Sequence, residues 1–169
     1  SKARFNNVYS VEEQMSVDGN FPTVVSPNPE EKAALTLAIE KAKEVNADVV
    51  LATDPDADRV GIAVKDENGE FVLLNGNQTA ALLTYYLLTR WSELGKLTGK
   101  EYIVKTIVTT ELLFDMANKF NVKKFDVLTG FKFIGEQAHK TKANGGVYVY
   151  GYEESYGCLI KDFVRDKDA

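Results

Sequence analysis

The chain has 169 residues, a formal net charge of −5, 44% hydrophobic residues and 27% charged residues. This mixture is typical of a soluble globular protein, and the acidic balance gives none of the positive surface that nucleic acids and anionic membranes attract. A single cysteine and a single histidine exclude an intrachain disulfide and a zinc site built from several thiolates. The N-terminus lacks the apolar segment of a secretory signal, which predicts a cytoplasmic protein.

The first third of the chain predicts a strand, a helix and a buried strand. Residues 7–11 (NVYSV) predict a short strand. Asn28 is followed by a proline and, three residues on, by Glu31, which predicts a helix that is capped by Asn28 and runs to about residue 46. Residues 48–53 (DVVLAT) are a short, mostly apolar run and predict a buried strand.

A predicted hairpin and a long helix come next. Residues 60–65 and 71–74 predict strands, because the segment DENG at 66–69 is a turn signal between them. Residues 77–94 predict a helix with Gly95 as its terminator. Because the hairpin and this helix look like the start of a new unit, we place a domain boundary between residues 69 and 70.

The rest of the chain continues the alternation of strands and helices, which predicts the α/β class. Strands are expected over residues 102–108, 124–128, 147–150 and 158–160, and helices over residues 110–120 (capped by Thr109 or Thr110) and 133–142.

Three aspartates alternate directly after the buried strand: Asp54, Asp56 and Asp58. Ligands gather at the carboxyl ends of strands in open α/β sheets. Unpaired carboxylates at this spacing repel one another, and a divalent cation removes that conflict. Since Mg²⁺ prefers hard oxygen ligands, this pattern predicts a magnesium site, with Arg59 next to it to hold a phosphate oxygen.

Other interpretations of this acidic segment remain open. A solvated acidic turn needs no ligand at all. A calcium-binding EF-hand loop fits poorly, because Arg59 stands where that loop needs glycine and Lys65 stands where it needs glutamate. An aspartyl-phosphate phosphatase also places paired aspartates after an apolar strand, and it would make Asp54 a nucleophile.

Four motifs resemble, in order, those of the α-D-phosphohexomutase family, in its phosphoglucomutase and phosphomannomutase branch. Residues 53–61 (TDPDADRVG) resemble its magnesium loop. Residues 18–24 (DGNFPTV) and 27–30 (PNPE) resemble the segment that leads to this loop. Residues 129–135 (TGFKFIG) and 151–157 (GYEESYG) resemble two substrate loops of the following domain.

The resemblance implies a piece of a four-domain protein. Residues 1–69 correspond to most of domain two and residues 70–169 to most of domain three. Each is expected to be a partly truncated three-layer α/β/α domain with a mixed sheet. The phosphoserine of domain one and the phosphate-binding loop of domain four have no counterpart in this chain, so these missing domains are its expected partners and the piece alone is expected to be inactive.

The resemblance also implies a reaction and its cofactors. The three aspartates would bind one Mg²⁺ together with a phosphoserine oxygen, and Arg59 would orient a phosphate. The substrate would be a hexose phosphate, glucose before mannose, whose phosphate moves between the 1- and 6-positions through glucose 1,6-bisphosphate. Lys167 is implied as a catalytic lysine for acid–base or phosphate work.

Four residues of the two substrate loops are implied to bind substrate. Glu153 and Ser155 would hydrogen-bond adjacent sugar hydroxyls, a task for which an ionised carboxylate and a hydroxyl are suited. Lys132 and Gly130 belong to the other loop and would contact phosphate or sugar. The phosphatase, a non-catalytic sugar-phosphate-binding module and a phosphopentomutase of the same family stay open as alternatives.

Overall fold

In a computed structural model, which describes residues 5–169, the chain forms two sheets flanked by four helices. The strands are β1 (Val49–Thr53), β2 (Val60–Lys65), β3 (Phe71–Leu73), β4 (Glu101–Thr106), β5 (Lys123–Val127), β6 (Val147–Glu153) and β7 (Gly157–Ile160). The helices are α1 (Thr36–Glu44), α2 (Gly76–Glu93), α3 (Leu112–Lys119) and α4 (Phe131–Ala143), with short 3₁₀ turns at Glu12–Gln14 and Lys32–Leu35. The first four residues of the predicted first domain lie outside the described range.

The first sheet has the order β1-β2-β3 and is antiparallel across the described residues. Its predicted turn is confirmed, since the Gly69 amide donates to Asp66 O at 3.0 Å and Gly69 has a φ of 81°. One face of the sheet buries Val50 and Phe71 beside α1. Successive side chains of a strand point to opposite faces of the sheet, and Leu51, on the other face, is 63% exposed.

The second sheet has the order β5-β4-β6-β7, in which the first three strands are parallel and β7 is antiparallel. Every residue of β4 is buried, because helices cover both faces of the sheet. Ile103 packs in the core shared with α2 and α3, whereas Val104 packs in the core shared with α4. The predicted α/β class is therefore confirmed, and this unit has the expected α/β/α layers and mixed sheet.

The long predicted helix corresponds to α2. Asn75 caps it reciprocally with Gln78: the Asn75 side chain accepts from the Gln78 amide and the Gln78 side chain accepts from the Asn75 amide, both at 2.9 Å. Gly95 follows the helix with a φ of 63°, as expected for a terminator. Within residues 5–169, neither α2 nor a shorter helix is long and apolar enough to cross a membrane.

Two local predictions are wrong, and a third is right only in part. Residues 7–11 form no strand, and four of the five are exposed. Asn28 does not cap α1; its Oδ1 accepts from the Glu30 amide at 3.1 Å, and regular helix starts only at Thr36 after a 3₁₀ turn. Glu111 occupies the N-cap position of α3, and Thr110, one residue earlier, accepts from the Leu112 amide at 3.3 Å, whereas Thr109 contacts Thr106 and Glu154. For Asn28 and Thr109, a turn contact and a tertiary contact compete with the local capping preference.

The hairpin belongs to the first sheet. β3 pairs with β2 in the register Ala63↔Leu73 and Lys65↔Phe71, so the hairpin does not open the second unit as expected. The division into domains at residues 69 and 70 stays a prediction, and the strand pairing favours a boundary after β3.

Candidate metal and substrate site

The acidic loop joins β1 to β2 and turns tightly. The Ala57 amide donates to Asp54 O at 3.1 Å, and Ala57 adopts a left-handed φ of 55°. Proline at position 55 suits this turn because its φ is already fixed. One carboxylate oxygen from each of Asp54, Asp56 and Asp58 lies within 4.8 Å of the other two. The structure thus places the three side chains around one point.

The chemistry of this donor set fits a hard divalent cation. Two oxygens bound to the same Mg²⁺ are at most about 4.2 Å apart, twice the usual metal–oxygen distance. Neighbouring ligands of an octahedral ion are closer, about 3 Å apart, so the three carboxylates would have to move toward one another to share one ion. Asp54 is buried, Asp58 half-buried and Asp56 exposed, so the loop combines an anchored carboxylate with an open side from which another ligand can approach.

Asp54 is the anchor of the loop. Its Oδ1 accepts from the amides of Asp58 and Arg59 at 3.1 and 3.2 Å, and its Oδ2 accepts from Arg59 Nε at 2.6 Å. Burial raises the pKa of Asp54, but the hydrogen bonds from the side chain and backbone of Arg59 outweigh it and leave this pKa below its ordinary value. The carboxylate is therefore held in its charged form.

Arg59 is held by the protein on several sides. Besides Asp54, its guanidinium contacts Asn28 and Glu30, with Nη1 at 3.4 Å from Asn28 Oδ1 and 3.5 Å from Glu30 Oε1. The PNPE segment therefore folds against the acidic loop. Arg59 lies beside the three aspartates, as expected. Its described ion pairs are with the protein's own carboxylates, whereas the predicted role was to orient a phosphate.

Lys167 joins the acidic loop from the C-terminal segment. Its Nζ lies 2.8 Å from Asp58 Oδ2 and 5.8 Å from the ring centre of Phe131. The backbone next to it is fixed as well, since the amide of Ala169 donates to Ala57 O at 3.1 Å. Burial lowers the pKa of Lys167, but the carboxylates around it outweigh this and raise the pKa above its ordinary value.

The GYEESYG motif forms the turn between β6 and β7. Glu153 ends β6 and pairs with Gly157 at the start of β7, which leaves Glu154, Ser155 and Tyr156 as the connection. Glu153 is buried, and burial raises its pKa although Lys167 and Ser155 act in the opposite direction. A buried carboxylate with a raised pKa at a strand end is typical of a functional group rather than of a solvated loop.

The two loops are bonded to each other. Arg59 forms an isolated antiparallel bridge with Gly157, and the Val60 amide donates to Tyr156 O at 3.4 Å. A Cβ on Gly157 would lie 2.7 Å from Lys167 Cδ and 2.9 Å from Glu153 Oε1, so Lys167 and Glu153 flank this glycine. The three aspartates, Arg59, Lys167 and Glu153 therefore belong to one cluster.

The other two predicted substrate residues lie at the start of α4. Gly130 precedes the helix with a φ of 119°, a conformation suited to glycine. Lys132 is exposed on the first turn, with its Nζ 5.0 Å from the ring centre of Phe133. Phe131, which contacts Lys167, is the described link between this turn and the cluster.

Sequence reasoning missed the residues that support the site. Glu154 binds the hydroxyls of Thr106 and Thr109, and Asn28 and Glu30 hold Arg59. The two threonines near the end of a predicted buried strand could have indicated a partner for Glu154. The contacts of Asn28 and Glu30 with Arg59 were missed because the sequence around Asn28 predicted a helix cap.

The comparisons with known proteins assign the family. Residues 1–69 match the family model "Phosphoglucomutase/phosphomannomutase, alpha/beta/alpha domain II", and residues 75–169 match the model for domain III. A phosphoglucomutase of Staphylococcus aureus (strain N315) is 42% identical over 165 residues, which are 98% of this chain and 29% of that protein. The chain belongs to the phosphoglucomutase/phosphomannomutase family and spans less than a third of the curated relatives it matches.

Solved structures agree on the fold. A phosphoglucomutase/phosphomannomutase family protein from Burkholderia thailandensis superposes with a TM-score of 0.67 at 24% identity, over 90% of this chain and 30% of that one. An N-acetylphosphoglucosamine mutase from Aspergillus fumigatus, solved with GlcNAc-6P and magnesium, gives a TM-score of 0.51 at 20% identity, over 66% and 22% of the two chains.

Proposed function

We propose that this chain forms the second and third domains of a longer phosphohexomutase that interconverts hexose 1-phosphate and hexose 6-phosphate, with glucose as the preferred sugar. The reaction would proceed through a phosphoserine and a bisphosphorylated sugar, glucose 1,6-bisphosphate, in the complete protein. The observation that carries this proposal is the convergence of three aspartates and the GYEESYG turn in one cluster. The 42% identity to a phosphoglucomutase supports glucose as the sugar.

The aspartates would hold magnesium. The proposal rests on their own geometry, with three hard oxygens around one point, and is supported by a fold neighbour, an N-acetylphosphoglucosamine mutase, that was solved with magnesium. A bound Mg²⁺ would neutralise charge on a phosphoryl group and make its ester oxygen a better leaving group. Arg59 would keep Asp54 charged and in place, and its guanidinium would help to orient a phosphate.

The second unit would hold the sugar. Glu153 accepts hydrogen bonds from hydroxyls when ionised, and Ser155 can donate or accept. Lys167 lies between Asp58 and Glu153, where its ammonium group could donate a proton to the oxygen that leaves the phosphoryl group, and the neutral amine formed in that step could take the proton back from the hydroxyl that attacks next. Gly130 and Lys132 would contact the far end of the substrate.

The aspartyl-phosphate phosphatase is less well supported. It requires Asp54 as nucleophile, yet both oxygens of this carboxylate already accept hydrogen bonds and the side chain is 2% exposed. Such a carboxylate is suited to anchoring a loop and binding a cation. A non-catalytic sugar-phosphate-binding module remains the second candidate, because the GYEESYG turn could bind a sugar without any reaction.

Conversion of glucose 1-phosphate to glucose 6-phosphate by the complete protein tests the proposal. We expect activity that depends on Mg²⁺ and falls about 100-fold or more in Asp56→Asn, because a ligand that stabilises transferring charge is lost. Asp48→Asn, at an exposed aspartate just before β1, is the matched control and should retain activity. The isolated chain should convert nothing.

The alternatives give different results in the same assay. Release of phosphate from a generic phosphoester by this chain alone, abolished by Asp54→Asn, would favour the phosphatase. Binding of glucose 1-phosphate without conversion by the complete protein would favour the binding module. Full activity in Asp56→Asn would contradict the metal role of the triad.

A further inference from the structure

We propose that Glu154 is a positioning residue, which fixes the GYEESYG turn to the end of β4 so that Glu153 and Ser155 face the sugar. The proposal rests on the proposed function for the identity of the ligand. Glu154 stands between the two residues expected to touch substrate, but its own carboxylate is engaged within the protein.

Two buried hydroxyls hold the Glu154 carboxylate. Its Oε2 lies 2.9 Å from Thr106 Oγ1 and 3.2 Å from Thr109 Oγ1, and these two oxygens are 2.8 Å apart. Thr106 is the last residue of β4, and both threonines are at most 2% exposed. Two hydroxyl protons serve three contacts, and a carboxylate can only accept. The contact between the two threonines uses only one of these protons, so at least one is left for a hydrogen bond to Glu154.

The backbone of Glu154 is held as closely as its side chain. A Cβ added to Gly76 at the start of α2 would lie 1.6 Å from Glu154 O. The carbonyl therefore packs directly on the helix, at a distance that only glycine permits. Thus Glu154 is fixed by β4 through its side chain and by α2 through its main chain.

The other side of the turn has a separate anchor. Tyr156 adopts a left-handed φ of 66°, an unfavourable conformation for a residue with a Cβ. Its hydroxyl donates to Leu74 O at 2.7 Å, which holds it there. Ser155 is thus the residue of the connection that lies between two anchors.

A rigid support of this kind would matter for binding a sugar. The two hydroxyl contacts of Glu153 and Ser155 form together only if the turn keeps its shape, and a turn ordered in advance loses less entropy on binding. β4 is buried along its whole length, so it is a firm base. Loss of the Glu154 contact should therefore weaken sugar binding without removing any group that touches the sugar.

The test uses the complete protein and glucose 1-phosphate. We expect Glu154→Ala to lower kcat/KM about tenfold, mainly through KM, since a charged hydrogen bond of this kind is worth about one order of magnitude. Hydrogen exchange of the amides of residues 154–157 should accelerate in parallel. Glu154→Gln, which keeps an acceptor oxygen, should restore part of both. Glu67→Ala, at an exposed position in the β2–β3 turn, should behave as wild type.

Thr109→Val provides a second approach if Glu154→Ala does not fold. It removes one hydroxyl in a side chain of nearly the same shape, and its effect should not add to that of Glu154→Gln if both act through one contact. Additive effects, or wild-type KM and exchange in Glu154→Ala, would overturn the proposal. If the wild type does not convert glucose 1-phosphate, the proposed function fails. Hydrogen exchange of Glu154→Ala then decides alone. Faster exchange of the amides of residues 154–157 would support the positioning role of Glu154, and unchanged exchange would overturn it.

Discussion

Lys167 Nζ lies 2.8 Å from Asp58 Oδ2, so a lysine of the C-terminal segment forms an ion pair with one of the three carboxylates expected to bind metal. The same side chain packs beside Gly157 and so lies next to Glu153. Lys167 thus connects the acidic loop of the first unit with the GYEESYG turn of the second. This contact has a consequence for the affinity of the loop for cations.

Replacement of Lys167 by methionine should tighten divalent-cation binding. The ammonium group repels an incoming cation and occupies an oxygen that the cation needs. The pair is partly exposed, with 19% and 27% of the two side chains accessible, so the expected gain is modest, about threefold. Titration with Mn²⁺ measures it, and Lys96→Met, at an exposed lysine after α2, is the control. Weaker binding in Lys167→Met would contradict the arrangement.

Replacement of Glu153 by glutamine should raise the melting temperature at pH 7. Burial raises the pKa of Glu153 above its ordinary value of 4.5, so the folded state loses stability as the pH rises above 4.5, and this loss is complete once the pH exceeds the folded pKa. Below pH 4.5 both states are protonated and the difference should vanish. Thermal unfolding of Glu153→Gln and wild type across this range tests the sign. Sugar binding should be lost, and a variant less stable than wild type at pH 7 would contradict the assignment.

Replacement of Arg59 by methionine should destabilise the protein most at neutral pH. Asp54 has a pKa held below its ordinary value of 3.8, so the stability it contributes is present above pH 3.8 and lost as the pH falls through the folded pKa. Without Arg59 the buried carboxylate loses a charged hydrogen bond, at an expected cost of about 2 kcal/mol. Denaturant unfolding should show this cost shrinking below pH 3.8. Arg90→Met, at an exposed arginine of α2 paired with Glu93, should change stability little.

Replacement of Gly76 by alanine should destabilise the protein although the residue is helical. Alanine favours a helix by about 1 kcal/mol over glycine, but the new Cβ would lie 1.6 Å from Glu154 O, a backbone atom that cannot move freely. The clash should outweigh the propensity. Gly19→Ala, where nothing lies within 4 Å of the added Cβ, is the control. Equal stability of Gly76→Ala and wild type would disprove the close packing of turn and helix.

Local sequence signals predicted the elements whose structure is decided locally. β2 was predicted with the observed bounds, Val60–Lys65, because apolar residues end at a strong turn signal. The three aspartates converge as expected because one short turn carries all of them. Both features depend on residues close in sequence.

Features that depend on distant residues were not predictable from such signals. Asn28 has the sequence context of a helix cap, but its side chain accepts a hydrogen bond from Arg59, which lies 31 residues further along the chain in the β1–β2 loop. Likewise Glu154 looks like one of two equivalent glutamates, and only the return of the chain to β4 distinguishes its role from that of Glu153. For Asn28 the tertiary contact outweighs a local capping preference of about 1 kcal/mol.

The anomalous scattering of Mn²⁺ in crystals of the complete protein tests the central claim most directly. We expect one peak in contact with Asp54, Asp56 and Asp58, which would vanish in Asp56→Asn. A peak bound elsewhere, or carboxylates that turn away from a common point in saturating Mn²⁺, would contradict the account.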